Sequence, residues 1–374
     1  MIDSVAQRLG IQRRAGTGLA LACLVALPTL TQDDAIARHG RLIERQSTAP
    51  ARWILAFPED SGRISYSVQD FLHLLAEFDT TGTPKKWLCT GVVFLALRTP
   101  DGRHFSGLSG PPFAQGKDWE WYVDRVFGRG GPVARLDSAV AILEASIGSL
   151  GRPASVAFMI PYPEPKVDTL RLFGHTYDLS LPDDRVAAAG RFAREIASRF
   201  QAARFRHVVH DSFYWLHESI HGPDEQVVPR IAGRIHGMRF RFLWIPFFTA
   251  WGVDDWRRWG FDEAWLQPNF FFDPRIPQVR LDSAASRARS LGMGLEIEFD
   301  GRVYTQPQFY DRLGPYLSVL ESNPDLRWSS IVIYEGGGAL VELARRKALR
   351  YRTLYKRLAD VLDRYDSTSA SGTK

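Results

Sequence analysis

Residues 292–300 read Gly-Met-Gly-Leu-Glu-Ile-Glu-Phe-Asp. Successive side chains of a β-strand point to opposite faces, so Leu295, Ile297 and Phe299 share one face while Glu296, Glu298 and Asp300 share the other. The apolar face must meet helices, which turns the carboxylates toward the interior that the strand encloses. Immediately upstream, residues 281–292 (LDSAASRARSLG) carry small and apolar residues at helical spacing, with Asp282 as a capping residue and Gly292 as a stop. A helix feeding a strand is half of a βα unit.

Seven further β-rich apolar runs, at 53–57, 91–97, 155–160, 207–215, 240–246, 264–268 and 330–334, bring the total to eight with 293–299. Amphipathic segments such as 68–78 and 185–200 lie between them. Eight strand–helix repeats predict an α/β fold, a (β/α)8 TIM barrel forming a single domain over residues 51–366, closed by a final helix over 339–365. The runs are almost continuously hydrophobic, as a sheet covered on both faces requires. No G-x-G-x-x-G follows the first run, and Gly336, Gly337 and Gly338 lack the Lys and Ser/Thr of a phosphate loop, so no cofactor is expected. These glycines read as the turn leaving the eighth strand, with backbone N–H groups available to an anionic substrate group.

The chain has 374 residues, 45% hydrophobic and 24% charged, a balance that excludes disordered and collagen-like classes. Its net charge is +5, yet the densest basic stretch, residues 345–357, reads as the solvated face of a helix, and no nucleic-acid partner is expected. Arg8, Arg13 and Arg14 precede an apolar run at 19–30, a signal-peptide pattern over residues 1–32 that is too short to span a bilayer comfortably. A linker over 33–50 and a flexible tail over 367–374 are expected. Secretion or export to the periplasm follows, with no stable membrane span after cleavage. Loss of Cys23 would leave Cys89 alone, with no intramolecular disulfide to form.

In a barrel the chemistry stands at the C-terminal strand ends. Strand four runs into Tyr214, Trp215, His217 and Glu218; strand six ends at Gln267 and Asn269; strand seven carries Glu296 and Glu298; strand eight ends at Tyr334 and Glu335. Carboxylates stacked in one interior push their pKa values apart, which suits one to donate a proton while another stays ionised. Glycoside hydrolysis needs that division of labour. Glu218, Glu298 and Glu296 are therefore the catalytic candidates, although Glu296 is equally placed to brace the barrel through ion pairs. Aromatic rings accept the apolar faces of sugars, and amides and carboxylates bind their hydroxyls. Asp211, Tyr214, Trp215, Trp244, Gln267, Asn269, Tyr334 and Glu335 are the candidate contacts to a poly- or oligosaccharide, and Trp251 and residues 270–272 add aromatic rings near the strand ends.

A rival pattern occupies the same residues. His217, Glu218 and His221 spell the H-E-x-x-H of zinc hydrolases, which needs two histidines one turn apart on a continuous helix. Gly222 and Pro223 follow at once and would break that helix. No metal is expected, and zinc hydrolysis stands as one alternative beside a glycan-binding barrel that does not cleave.

The segments SFYWLHES (212–219), FLWIPFFTAWG (242–252), WGFDEAWLQPNFFF (259–272) and GMGLEIEFD (292–300) resemble a bacterial family of unknown function with a glycosidase-like barrel. The resemblance covers residues 53–365 and is specific over 212–300. It implies a carbohydrate-directed site built from Glu218, Gln267, Asn269, Glu296 and Glu298, with no substrate attached. A looser similarity to retaining glycosidase barrels implies an acid/base after strand four and a nucleophile after strand seven, positions that Glu218 and Glu298 match. His217 stands where those enzymes usually carry Asn, which leaves the partner of the sugar 2-hydroxyl to His217 or Asn269.

Overall fold

The computed structural model describes residues 52–58, 66–323, 326 and 331–364; the expected signal peptide, linker and tail lie outside them. Twelve strands occur among the described residues: β1 (Arg52–Ala56), β2 (Ala76–Phe78), β3 (Pro84–Trp87), β4 (Gly91–Phe94), β5 (Ala154–Ile160), β6 (Leu170–Leu172), β7 (His175–Tyr177), β8 (Val208–Trp215), β9 (Arg241–Trp244), β10 (Glu263–Leu266), β11 (Gly294–Glu298) and β12 (Ile331–Tyr334). Eight of them close a barrel in the order β1-β12-β11-β10-β9-β8-β5-β4. Every neighbouring pair in it is parallel. The fold is thus the expected TIM barrel, and each of the eight apolar runs supplies one barrel strand. Two antiparallel hairpins, β2–β3 and β6–β7, are additions outside it.

The helices depart from expectation in three places. The periodic segment 68–78 is helical only over Val68–Leu75, opened by a capping box in which Ser67 and Asp70 bond each other's backbone; Ala76 then turns extended and pairs with Trp87. Tertiary pairing overrides helical spacing there. Asp282 does not cap its helix but sits in the first turn of Val279–Leu291, where a negative charge still favours the N-terminal dipole; Gly292 ends that helix in a left-handed conformation as expected. The closing helix is two helices, Ala339–Arg345 and Leu349–Arg364. Arg346 is extended between them, its guanidinium 4.2 Å from the Tyr304 ring. The second piece docks on Pro307–Ser322 through Arg357 and Glu321, 2.6 Å apart. Among the described residues no helix is long and apolar enough to cross a membrane.

Packing fills the lower half of the barrel and leaves a cavity at its C-terminal end. Trp53 and Trp265 meet edge to face at 6.5 Å, and Arg241 lies 5.9 Å from the Trp53 ring. Here Asp211 corrects a sequence-based expectation, for it is a floor residue and not a substrate contact. The β5–β8 register shifts between Val156 and Ala157, so Asp211 is the extra residue of a bulge. Buried there, it accepts hydrogen bonds from Ser155 Oγ (2.7 Å), Ser212 Oγ (2.6 Å) and Arg241 Nη2 (3.0 Å).

Candidate active site

Three acids from two staves of the barrel meet at its C-terminal end. Glu296 and Glu298 lie two apart on β11 and therefore point the same way, while Glu218 follows β8 by three residues. Together with Tyr214, Gln267, Asn269, Phe272, Tyr334 and three leucines they line a cavity of about 310 Å³. That is the lower end of the range of small-molecule sites, about 300–1,000 Å³. A larger cavity of about 550 Å³ lies between residues 73–82 and 344–352, with His73, Asp79, Arg345, Lys347 and Arg352 in its wall. It holds a single acid, so size alone does not choose the site.

None of the three acids pairs with Lys or Arg among the described residues. Glu218 is half-buried, and loss of hydration pushes its pKa up to about 7, with the neighbouring Gln267 amide opposing the rise. Glu298 is wholly shielded from water although its carboxyl borders the cavity. Its Oε2 accepts hydrogen bonds from Tyr316 Oη (2.6 Å) and the Phe270 N–H (3.3 Å), while Oε1 has no partner. Burial pushes Glu298 up to about 7; the Tyr316 and Phe270 donors pull it down and the Glu218 charge adds to the rise. Glu296 has no hydrogen-bond partner among the described residues. Burial first, then the charges of Glu298 and Glu218, hold it well above the usual carboxylate range. Burial and mutual repulsion therefore favour the protonated form of Glu296 and bring Glu218 and Glu298 into the neutral range.

The amide wall is fixed from behind. Asn269 takes a left-handed backbone (φ 52°), which short polar side chains tolerate. Its Oδ1 accepts from the Phe248 N–H (3.0 Å), its Nδ2 donates to Gln267 Oε1 (3.3 Å), and Gln267 Nε2 donates to the Ile245 carbonyl (2.9 Å). Phe272 and Tyr334, also in the cavity lining, meet edge to face at 5.5 Å.

Of the eleven expected site residues, Glu218, Glu296, Glu298, Tyr214, Gln267, Asn269 and Tyr334 come together, and four do not. Trp215 and Trp244 are fully buried behind the barrel wall, because each follows an inward-facing residue, Tyr214 or Leu243, and these pair in register. Trp215 packs on Tyr162 and Phe242; Trp244 stacks on Phe261 at 5.0 Å and donates to the His217 carbonyl. Glu335 is taken up by its own turn: it accepts from Tyr66 Oη, the Gly338 N–H (2.8 Å) and the Leu340 N–H (3.0 Å). Residues 336–338 all have positive φ, and of their three backbone N–H groups the chain's own carboxylate takes that of Gly338. Asp211 is the fourth. Asp300, expected on the inward face with Glu296 and Glu298, lies past the strand end and binds Arg302 at 2.9 Å.

Three leucines in the wall, Leu55, Leu95 and Leu97, were not among the expected contacts, although strand alternation places them inward. Tyr316 also holds the site and carried no sequence signal, since it reaches Glu298 from the helix Pro307–Ser322.

The H-E-x-x-H reading does not survive the backbone. Residues 216–221 have no regular secondary structure, and the next helix begins at Asp224. His217 is buried and stacked on Tyr162 (4.0 Å between rings), burial pushes its pKa down to about 4, and His221 is exposed. The two histidines do not share a helical face.

A family model described as a domain of unknown function (DUF4855) matches residues 54–360. No curated protein matches the sequence. Among solved structures, a variant tryptophan synthase α-subunit from Pyrococcus furiosus is 12% identical, covering 84% of this chain and 100% of that one at a TM-score of 0.37. A dihydropteroate synthase from Xanthomonas albilineans in complex with 7,8-dihydropteroate is 11% identical, covering 86% and 95% at a TM-score of 0.36. Likeness at this level says nothing about activity.

Proposed function

The chain belongs to the DUF4855 family, and from that premise we propose that it is a secreted or periplasmic glycoside hydrolase, acting with retention of configuration on a poly- or oligosaccharide. One observation carries the reading: acids from β8 and β11, free of ion pairs, converge on a cavity that also offers aromatic rings and fixed amides. Asp211 in the same barrel is matched by Arg241 at 3.0 Å, whereas no Lys or Arg among the described residues pairs with these acids.

In the proposed reaction Glu218 is the general acid/base. With a pKa near 7 it is protonated often enough to give a proton to the leaving oxygen, and it then takes one from water. Glu298 is the nucleophile. Two donors fix its Oε2, leaving the unpartnered Oε1 to attack the anomeric carbon and form a glycosyl–enzyme ester that water later cleaves. Glu296, kept neutral, donates a hydrogen bond to a sugar hydroxyl. Because Glu218 and Glu298 repel each other when both are charged, the active form carries one proton between them, and activity falls on both sides of neutral pH.

Reducing-end release from a panel of soluble polysaccharides tests the reading. The wild-type chain is expected to release sugar from at least one of them, with the product anomer retained by NMR, and Glu218→Gln to lower turnover by about 10²–10⁴-fold. Undiminished hydrolysis by that variant removes Glu218 from the mechanism. The shielding of Glu298 favours a second reading, a glycan-binding barrel without catalysis. Retention on a polysaccharide with no reducing-end release over long incubation would support it.

A further inference from the structure

Trp251 is 72% exposed, against 36% for Phe272 at the cavity wall. Tryptophan is normally among the more buried side chains, so an exposed indole on a rigid backbone calls for a physical account. The backbone here is held by hydrogen bonds on both sides of the peptide. The Trp251 N–H donates to Ser219 Oγ (3.1 Å) and its carbonyl accepts from the Ile220 N–H (3.0 Å), which ties both of its polar groups to the segment bearing Glu218. Gly252 follows at φ 83°, and a Cβ there would stand 3.0 Å from Ile220 and from Trp259 Nε1. Trp259 Nε1 also donates to the Gly252 carbonyl at 2.8 Å.

The same loop, residues 245–252, forms the back of the cavity wall. The Pro246 carbonyl accepts from the Gln267 N–H (2.9 Å), and the Phe248 N–H donates to Asn269. One stiff segment thus braces Gln267 and Asn269 and presents Trp251 to solvent beside the Glu218 arm.

We infer that Trp251 is a stacking platform for a saccharide unit of a polymer chain, a subsite outside the acid-lined cavity. The inference rests on the saccharide reading of that cavity and specifies its substrate as a polysaccharide. The occupant follows from the surroundings. Asp254, Asp255, Arg257 and Arg258, which follow in sequence, are all exposed, so the one strongly exposed indole belongs to a charge-rich segment. An aromatic side chain contributes about 150–250 Å², well short of the roughly 1,200 Å² that a stable protein interface buries. A sugar ring, with an apolar C–H face and a rim of hydroxyls, fits that pattern in size and polarity, and a second copy of the chain does not.

Affinity electrophoresis of the full chain through gels holding β-glucan, xylan, galactomannan, pectin or dextran tests the platform. At least one polymer should retard the wild-type chain and Glu298→Gln alike. Trp251→Ala should bind that polymer roughly tenfold more weakly, and Trp251→Phe, which keeps a ring, within about threefold of wild type. On a short oligosaccharide that fills only the cavity, Trp251→Ala should turn over like wild type. Retardation of Trp251→Ala equal to wild type overturns the inference, as does a wild-type dimer by sedimentation that the substitution dissociates. Cleavage of polymer by Trp251→Ala with unchanged KM sinks the platform and leaves the hydrolase standing. Polymer binding lost in Trp251→Ala, with no cleavage by wild type, does the reverse. A wild-type chain retarded by none of the polymers overturns both.

Discussion

At the floor of the barrel Asp211 has Arg241 at 3.0 Å and two serine hydroxyls within 2.7 Å; at the mouth Glu218, Glu296 and Glu298 share one cavity without a cation. The same interior therefore compensates buried charge at one end and leaves it uncompensated at the other. Carboxyl groups held in an interior with no cation beside them are unfavourable whenever they ionise, so a fold that keeps three of them is less stable than it could be. Glu335 marks the boundary between the two regimes. It follows β12 at the mouth, yet Tyr66 and two backbone N–H groups absorb it, and it lines no part of the cavity. Position at a strand end is thus not sufficient for a site; a free carboxyl facing a cavity is the sharper criterion.

The comparison breaks most readily at Asp211. Its replacement by Ala would leave Arg241 with Glu263 alone and two serines without their acceptor, and unfolding by urea should show a loss of about 3–5 kcal/mol. A loss below about 1 kcal/mol would mean that the floor network is not structural in the sense argued.

The mouth should respond with the opposite sign. The folded-state pKa values of Glu218, Glu296 and Glu298 all lie above their ordinary value of 4.5. The stability attached to each acid is then complete below pH about 4.5 and lost as pH rises, through about 7 for Glu218 and Glu298 and through its own raised pKa for Glu296. Glu296→Gln keeps the shape and removes the charge, so relative to wild type it should gain on the order of 1–3 kcal/mol as urea titrations move from pH 5 to pH 9. A stability difference independent of pH would refute the assigned protonation of Glu296.

Glu335→Gln should give the smallest effect. Removing a charge that burial pushes up to about 7 favours the variant at high pH, while weaker acceptance from Tyr66 and the turn amides opposes it. The net change at pH 8 should stay within about 1 kcal/mol, with turnover untouched. Loss of turnover would move Glu335 into the site.

Much of this was legible in the sequence. Alternation in GLEIE pointed Glu296 and Glu298 inward because that rule depends only on the geometry of an extended chain, and each apolar run marked a barrel strand because burial on both faces leaves little choice of residue. The misplacements have separate origins. Trp215 and Trp244 have the chemistry of sugar contacts but the opposite parity to Tyr214 and Leu243, which turns them away from the interior. Asp211 sits in a bulge, a one-residue irregularity that apolar periodicity does not encode. Tyr316 is distant along the chain from the groups it holds, and no local pattern announces a contact across that separation. The break at Arg346 likewise depends on rings contributed by Tyr304 and Tyr351.

The contrast between floor and mouth is tested most directly by the turnover of Glu298→Gln at pH 8, expressed per folded molecule from a urea titration of the same preparation. The account predicts hydrolysis reduced by at least about 10³-fold in a protein no less stable than wild type. Hydrolysis that persists near the wild-type rate, or that disappears only because the chain unfolds, would contradict it.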